Sequence, residues 1–204
     1  MLIYIEYISR RPGVSTEAFY KVTDRGQGSW ADDYPDDVMI ANLGRSWRLG
    51  PEPEYMCVWW TPNQGLDRID DWERVFRSSA ADVFEEPFRL AARIDHAGCY
   101  EPLIEPVVGT TERYYLEFLD FAVGATRADV RTAYEQRQSR HSDLTLNVLA
   151  DRIGRLGPDP RALALWGLPA WAALEEVARD LEGGDGPVRL KAAGCYSETG
   201  KETL

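Results

Sequence analysis

Three phrases of this chain occur twice, in the same order. Tyr4-Ile5-Glu6-Tyr7-Ile8 returns as Tyr115-Leu116-Glu117-Phe118-Leu119. Arg48-Leu49-Gly50-Pro51-Glu52-Pro53 returns as Arg155-Leu156-Gly157-Pro158-Asp159-Pro160, and Ala97-Gly98-Cys99-Tyr100 as Ala193-Gly194-Cys195-Tyr196. Ordered repetition of this kind makes the chain two copies of one unit, and a repeated unit buries its apolar face against its neighbour. The boundaries follow: a first repeat over 1–101, a linker over 102–112 marked by Pro102, Pro106 and Gly109, a second repeat over 113–197, and a polar tail over 198–204.

Within each copy the pattern alternates between strand and helix. Residues 2–8 form a short apolar strand, and Ser15 or Thr16 can cap a helix that runs to about residue 25. Strands are expected over 38–49 and 55–60, the latter rich in strand formers. A helix carrying Trp72, Val75 and Phe76 follows, then an irregular stretch or short helix over 78–89 broken at Pro87, and a strand over 93–100. The second copy repeats the order, with strands over 113–120, 144–156, 162–168 and 188–196. Its helices cover 127 to about 138, and 170–181. Pro53 to Ala97 is 44 positions, against 33 from Pro160 to Ala193, so the first copy carries an insertion between Phe76 and Ile94. The order β-α-β-β-α-β is a ferredoxin-like unit. A four-stranded sheet with helices on one face leaves the other bare, and two tandem copies can cover each other. The fold class is therefore α+β.

Composition narrows the function. A net charge of −11 repels phosphate backbones and argues against nucleic-acid binding. No apolar run reaches the roughly 20 residues of a membrane span, and the N-terminus lacks the features of a signal peptide. Cys57, Cys99 and Cys195 include no CxxC pair and are expected as free, buried thiols, which makes a cytoplasmic location the default. No metal-ligand spacing, phosphate loop, nucleophile elbow or dinucleotide fingerprint occurs, so no metal and no cofactor is expected.

The arrangement resembles the dimeric α+β barrel superfamily with both halves fused in one chain, forming an intramolecular barrel. The phrase Arg11-Pro12-Gly13-Val14-Ser15-Thr16-Glu17-Ala18-Phe19 is similar to the strand-turn-helix opening of its EthD-like and NIPSNAP-like branches. That resemblance implies a small cofactor-free enzyme of isomerase, cyclase or monooxygenase type, acting on an apolar or aromatic small molecule between the sheets. The other reading is a non-catalytic small-molecule-binding or assembly protein with a filled lumen. Either is compatible with a homo-oligomer. Many EthD-like relatives carry a histidine near the end of the first helix; this chain has Gln27 and Gln138 there.

The repeat also suggests which side chains face where. Ile3, Ile5 and Tyr7 match Tyr114, Leu116 and Phe118, and this largely apolar face is expected against the helices. Tyr4 and Glu6, matching Tyr115 and Glu117, then line the space between the sheets. Trp59 and Trp166 are expected beside them, with Arg45, Arg48, Arg152 and Arg155, or the Tyr and Trp side chains of that space, as donors to the two carboxylates. Glu6 and Glu117 are the candidate acid-base groups, helped by His96 and His141, neither of which is matched by a histidine in the other copy. The pocket is expected on the second sheet, reached past His141, with Glu117 at its floor.

Overall fold

The computed structural model describes residues 1–23, 36–51, 54–78, 86–109, 111–180 and 186–199; within these, side chains 75–78 and 86 are undescribed. Its strands are β1 (Leu2–Arg10), β2 (Val38–Arg45), β3 (Tyr55–Thr61), β4 (Ala92–Pro102), β5 (Arg113–Phe121), β6 (Thr145–Arg152), β7 (Ala162–Leu168) and β8 (Val188–Glu198). Helix α1 covers residues 16–23, followed by α2 (Asp67–Ser78), α3 (Glu86–Ala91), α4 (Arg127–Arg140) and α5 (Leu174–Arg179). The α+β class holds. Pro87 opens α3 instead of breaking it, since a proline is tolerated in a helix's first turn. No helix among the described residues is long and apolar enough to cross a membrane.

The eight strands of the described residues form one closed antiparallel barrel, in the order β1-β3-β2-β8-β5-β7-β6-β4. Read from each seam, β4-β1-β3-β2 and β8-β5-β7-β6 repeat one order. The registers repeat as well: Glu6 faces Cys57 and Ala97, and Glu117 faces Ala164 and Ala193. The seams are β2 on β8, with Arg45 opposite Tyr196, and β4 on β6, with Tyr100 opposite Arg152.

The two other repeated phrases lock these seams. The Leu49 carbonyl accepts from the Cys195 amide, and the Leu156 carbonyl from the Cys99 amide, each at 2.9 Å. Backbone meets backbone there. A Cβ on Gly50 would stand 2.5 Å from the Cα of Gly194, and one on Gly157 would stand 2.7 Å from the Cα of Gly98. Both loop glycines also have strongly positive φ, +130° and +132°. Arg45 and Arg152 each donate to the carbonyl of the loop glycine in their own half, at 3.2 and 3.0 Å. They brace the loops and do not serve the glutamates. Gly157→Ala should therefore cost about 1–3 kcal/mol, because it adds both strain and a backbone clash. Denaturant unfolding checks this, and an unchanged midpoint would mean that the loop is not clamped.

The interior reverses the expected faces. One buried cluster draws on every strand and no helix: Ile3, Ile5 and Tyr7, Met56 and Val58, Leu116 and Phe118, Leu163 and Leu165, with Tyr100, Tyr114 and Tyr196. The more apolar stripe of each strand thus fills the barrel, where neither water nor a helix can bring a hydrogen-bond partner. Tyr7 and Tyr100 satisfy each other, hydroxyl to hydroxyl at 2.9 Å. Tyr4, Glu6, Tyr115, Glu117, Trp59 and Trp166 lie on the outer side, beneath the helices. The three cysteines are free and buried.

Candidate functional site

The outer faces of the two halves carry the same strand residues and treat them differently. In the second half, α4 is set by a capping box between Thr126 and Asp129, and its stripe Val130, Tyr134 and Arg137 points inward. These residues close over Glu117, which is fully buried. Arg137 grips both carboxylate oxygens, at 2.7 and 2.9 Å. The Tyr134 hydroxyl donates to Oε2 at 2.8 Å and the Trp166 indole at 3.2 Å. The guanidinium also lies 4.9 Å from the Trp166 ring and donates to the Val177 carbonyl. Burial pushes the Tyr134 hydroxyl well above its ordinary range, with the charge of Glu117 adding to the effect. Arg137, Tyr134 and Trp166 thus converge on one carboxylate, and Tyr115, Leu119, Leu146 and Val177 fill the rest.

Among the described residues the first half lacks that closure. The 111-residue offset between Glu6 and Glu117 places Phe19 where Val130 stands, Thr23 where Tyr134 stands and Gly26 where Arg137 stands. Phe19 and Thr23 are buried, but Thr23 donates to its own helix, at the Phe19 carbonyl. Gly26 lies outside the described residues and carries no side chain. Among the described residues Glu6 bonds the Trp59 indole and the Cys57 thiol, and no arginine or lysine pairs with it. Burial raises its pKa from 4.5 to about 7, and the bonds from Trp59 and Cys57 only partly offset this. Yet Glu6 and its neighbour Tyr4 are only half-buried, where Glu117 and Tyr115 are sealed. Tyr4 leans on Trp72, with ring centroids 4.5 Å apart, and its hydroxyl is raised by burial and then by Glu6. Met39, Tyr20, Phe88 and Ile94, all partly buried, border the same layer.

The remaining expected site residues are scattered. His141 ends α4 and bonds Asp180 through Nε2 at 2.9 Å, with Glu176 3.9 Å from Nδ1. It is a helix-end residue on the rim, not an entrance to open space at Glu117. His96 is exposed on β4. Gln138 donates to the carbonyls of His141 and Leu144 and accepts from the Leu146 amide, tying α4 to β6. Gln27 lies outside the described residues. Arg137 is the residue that the sequence reading missed. Its signal was its place seven residues after Val130 on one helix face.

No family model matches the chain, and no curated protein matches it. Solved structures do. A haem-binding protein from Thermus thermophilus superposes with a TM-score of 0.62 over 97% of this chain and 90% of that one, at 9% identity. A chlorite dismutase variant from Candidatus Nitrospira defluvii, in complex with cyanide, gives 0.58 over 96% and 90%, at 10% identity. Another variant of that enzyme gives 0.59 over 96% and 91%, at 9% identity. At such identities the likeness is one of fold. It corrects the expected branch: the neighbours are haem-binding and chlorite dismutase proteins, not EthD-like or NIPSNAP-like ones. The cofactor-free catalyst with a pocket between the sheets is overturned as well. That space is packed with tyrosine and aliphatic side chains, and the neighbour with the highest of these scores binds haem.

Haem is thus the group to test against these residues, and they do not fit it. The outer layer of the second half is occupied by the Glu117–Arg137 cluster. The chain has two histidines; one is exposed on β4 and the other is held between two carboxylates at the rim. Burial raises the Cys99 and Cys195 thiols, the opposite of what a thiolate ligand to iron needs.

Proposed function

We propose that this protein binds a small, largely apolar molecule of aromatic size in the outer layer of its first half, against Tyr4, Glu6 and Trp72. The observation that supports this most is the contrast between two equivalent glutamates. Glu117 is sealed and paired with Arg137, whereas Glu6 sits half-buried, with no arginine or lysine paired to it among the described residues and a pKa of about 7. An apolar layer with one convergent polar group is the usual character of a ligand site, and a strongly perturbed carboxyl is a common mark of one. In its acid form Glu6 can donate a hydrogen bond to a neutral acceptor on the ligand; ionised, it repels the same group. Binding should accordingly strengthen as pH falls through about 7.

The repeated strand order and registers support a further reading, that the barrel arose by fusion of two ferredoxin-like units, residues 1–101 and 113–197, the second now a sealed scaffold. Three buried free thiols favour a reducing, cytoplasmic setting.

The test is titration with 2-acetylnaphthalene, an aromatic ketone that accepts a hydrogen bond and donates none, followed by tryptophan fluorescence, above and below neutral pH. Quenching should be stronger at the lower pH, and Glu6→Gln should abolish the pH dependence while keeping a donor in place. Hemin forms a second arm: a Soret shift that 2-acetylnaphthalene reverses would make the ligand a tetrapyrrole. Absence of binding by either probe, or binding that ignores Glu6→Gln, sinks the reading.

A further inference from the structure

The loop 155–159 presents a feature that the site above does not use. Its backbone is pinned on β4, through the Leu156 carbonyl and the Gly157 contact with Gly98. Beside it opens a cleft of about 460 Å³ lined by Arg152, Arg155, Gly157 and Asp159. Arg152 has a structural task, since Nη1 holds the Gly157 carbonyl. The Arg155 side chain has none: it is exposed and makes no hydrogen bond or ion pair among the described residues. The same is true of Arg48, its counterpart in the first copy. Both copies therefore keep an arginine that the fold does not use, in a chain of net charge −11.

A carboxylate already shows what the cleft accepts. Asp159 places Oδ1 2.8 Å from Nη2 of Arg152, although its side chain is 90% exposed. An ion pair this open to water is weak, so another anion can displace it. A guanidinium held by its own loop and a second one free to swing form a two-armed grip on oxygen atoms. We infer that this cleft binds a small oxyanion, a phosphate or carboxylate group, with Arg152 and Arg155 gripping it in place of Asp159.

Calorimetric titration with inorganic phosphate and, separately, with acetate at low ionic strength tests this. Wild-type protein should bind at least one of them, and the preferred ion identifies phosphate esters or carboxylates as the ligand class. Arg155→Ala should weaken binding roughly tenfold or more. Asp159→Asn removes the competing carboxylate and should tighten binding several-fold, whereas a purely structural Arg152–Asp159 pair would give no gain. Arg48→Ala should leave binding unchanged. All three variants alter exposed side chains, and their melting temperatures check that the fold is kept. Failure of both ions to bind even Asp159→Asn, or wild-type affinity in Arg155→Ala, overturns the inference.

Discussion

Arg137→Ala should remove about 3–5 kcal/mol of stability, the largest loss expected from any single substitution in this protein. The truncation leaves the Glu117 carboxyl in a sealed layer without its cation, and only Tyr134 and Trp166 still bond it. It also strips the cation from the Trp166 ring and opens space next to Val177. A whole domain is stable by only about 5–15 kcal/mol, so the variant should unfold at a much lower denaturant concentration. Removing both charges is a different matter. Glu117→Gln combined with Arg137→Met keeps the volume without burying an unpaired ion, and it should recover most of the loss. Urea unfolding of the wild type and the two variants decides this. A loss below about 1 kcal/mol for Arg137→Ala would mean that water reaches Glu117 and that the layer is not sealed.

The repeated phrases were legible in the sequence because they record contacts between backbones, which tolerate little substitution. Gly50 on Gly194 and Gly157 on Gly98 leave no room for a side chain, so the loop phrase and the strand phrase survive together in both copies. The strand order within each half was legible for a similar reason: alternation, turns and helix spacing are local. The direction of the faces was not. Over residues 2–8 both sides of β1 are apolar apart from Glu6, and the choice between inside and outside is made only when β2 meets β8 and β4 meets β6. Closure creates an interior that no helix can reach. The stripe without a carboxylate must then turn inward, and the glutamates must lie where a helix can supply donors. Arg137 could have been found by carrying the 111-residue offset along α4. The same step would have shown that Thr23 and Gly26 leave Glu6 without those donors.

Glu6→Gln should stabilise the protein, and only above the pH range where the wild-type carboxyl is protonated in both states. The folded-state pKa is raised, from 4.5 to about 7. Below 4.5 the folded and unfolded chains both carry the proton, so Glu6 costs nothing. Between 4.5 and about 7 the unfolded chain ionises while the folded one still holds its proton. Over that window the unfolded state binds fewer protons, so stability falls as pH rises. Above it the penalty is constant. The full shift would amount to about 3 kcal/mol, and solvent reaching a half-buried carboxyl should reduce it to roughly 1–3 kcal/mol. Glutamine has the same shape and no titration, so its profile should lack this fall. The two curves should coincide in acid and diverge across the window. A ligand that accepts a hydrogen bond from the acid form would hold the proton on and move the wild-type fall to higher pH. Unfolding measured from about pH 4 to about pH 8 separates the outcomes, since parallel curves would mean that Glu6 ionises as freely in the fold as in the open chain.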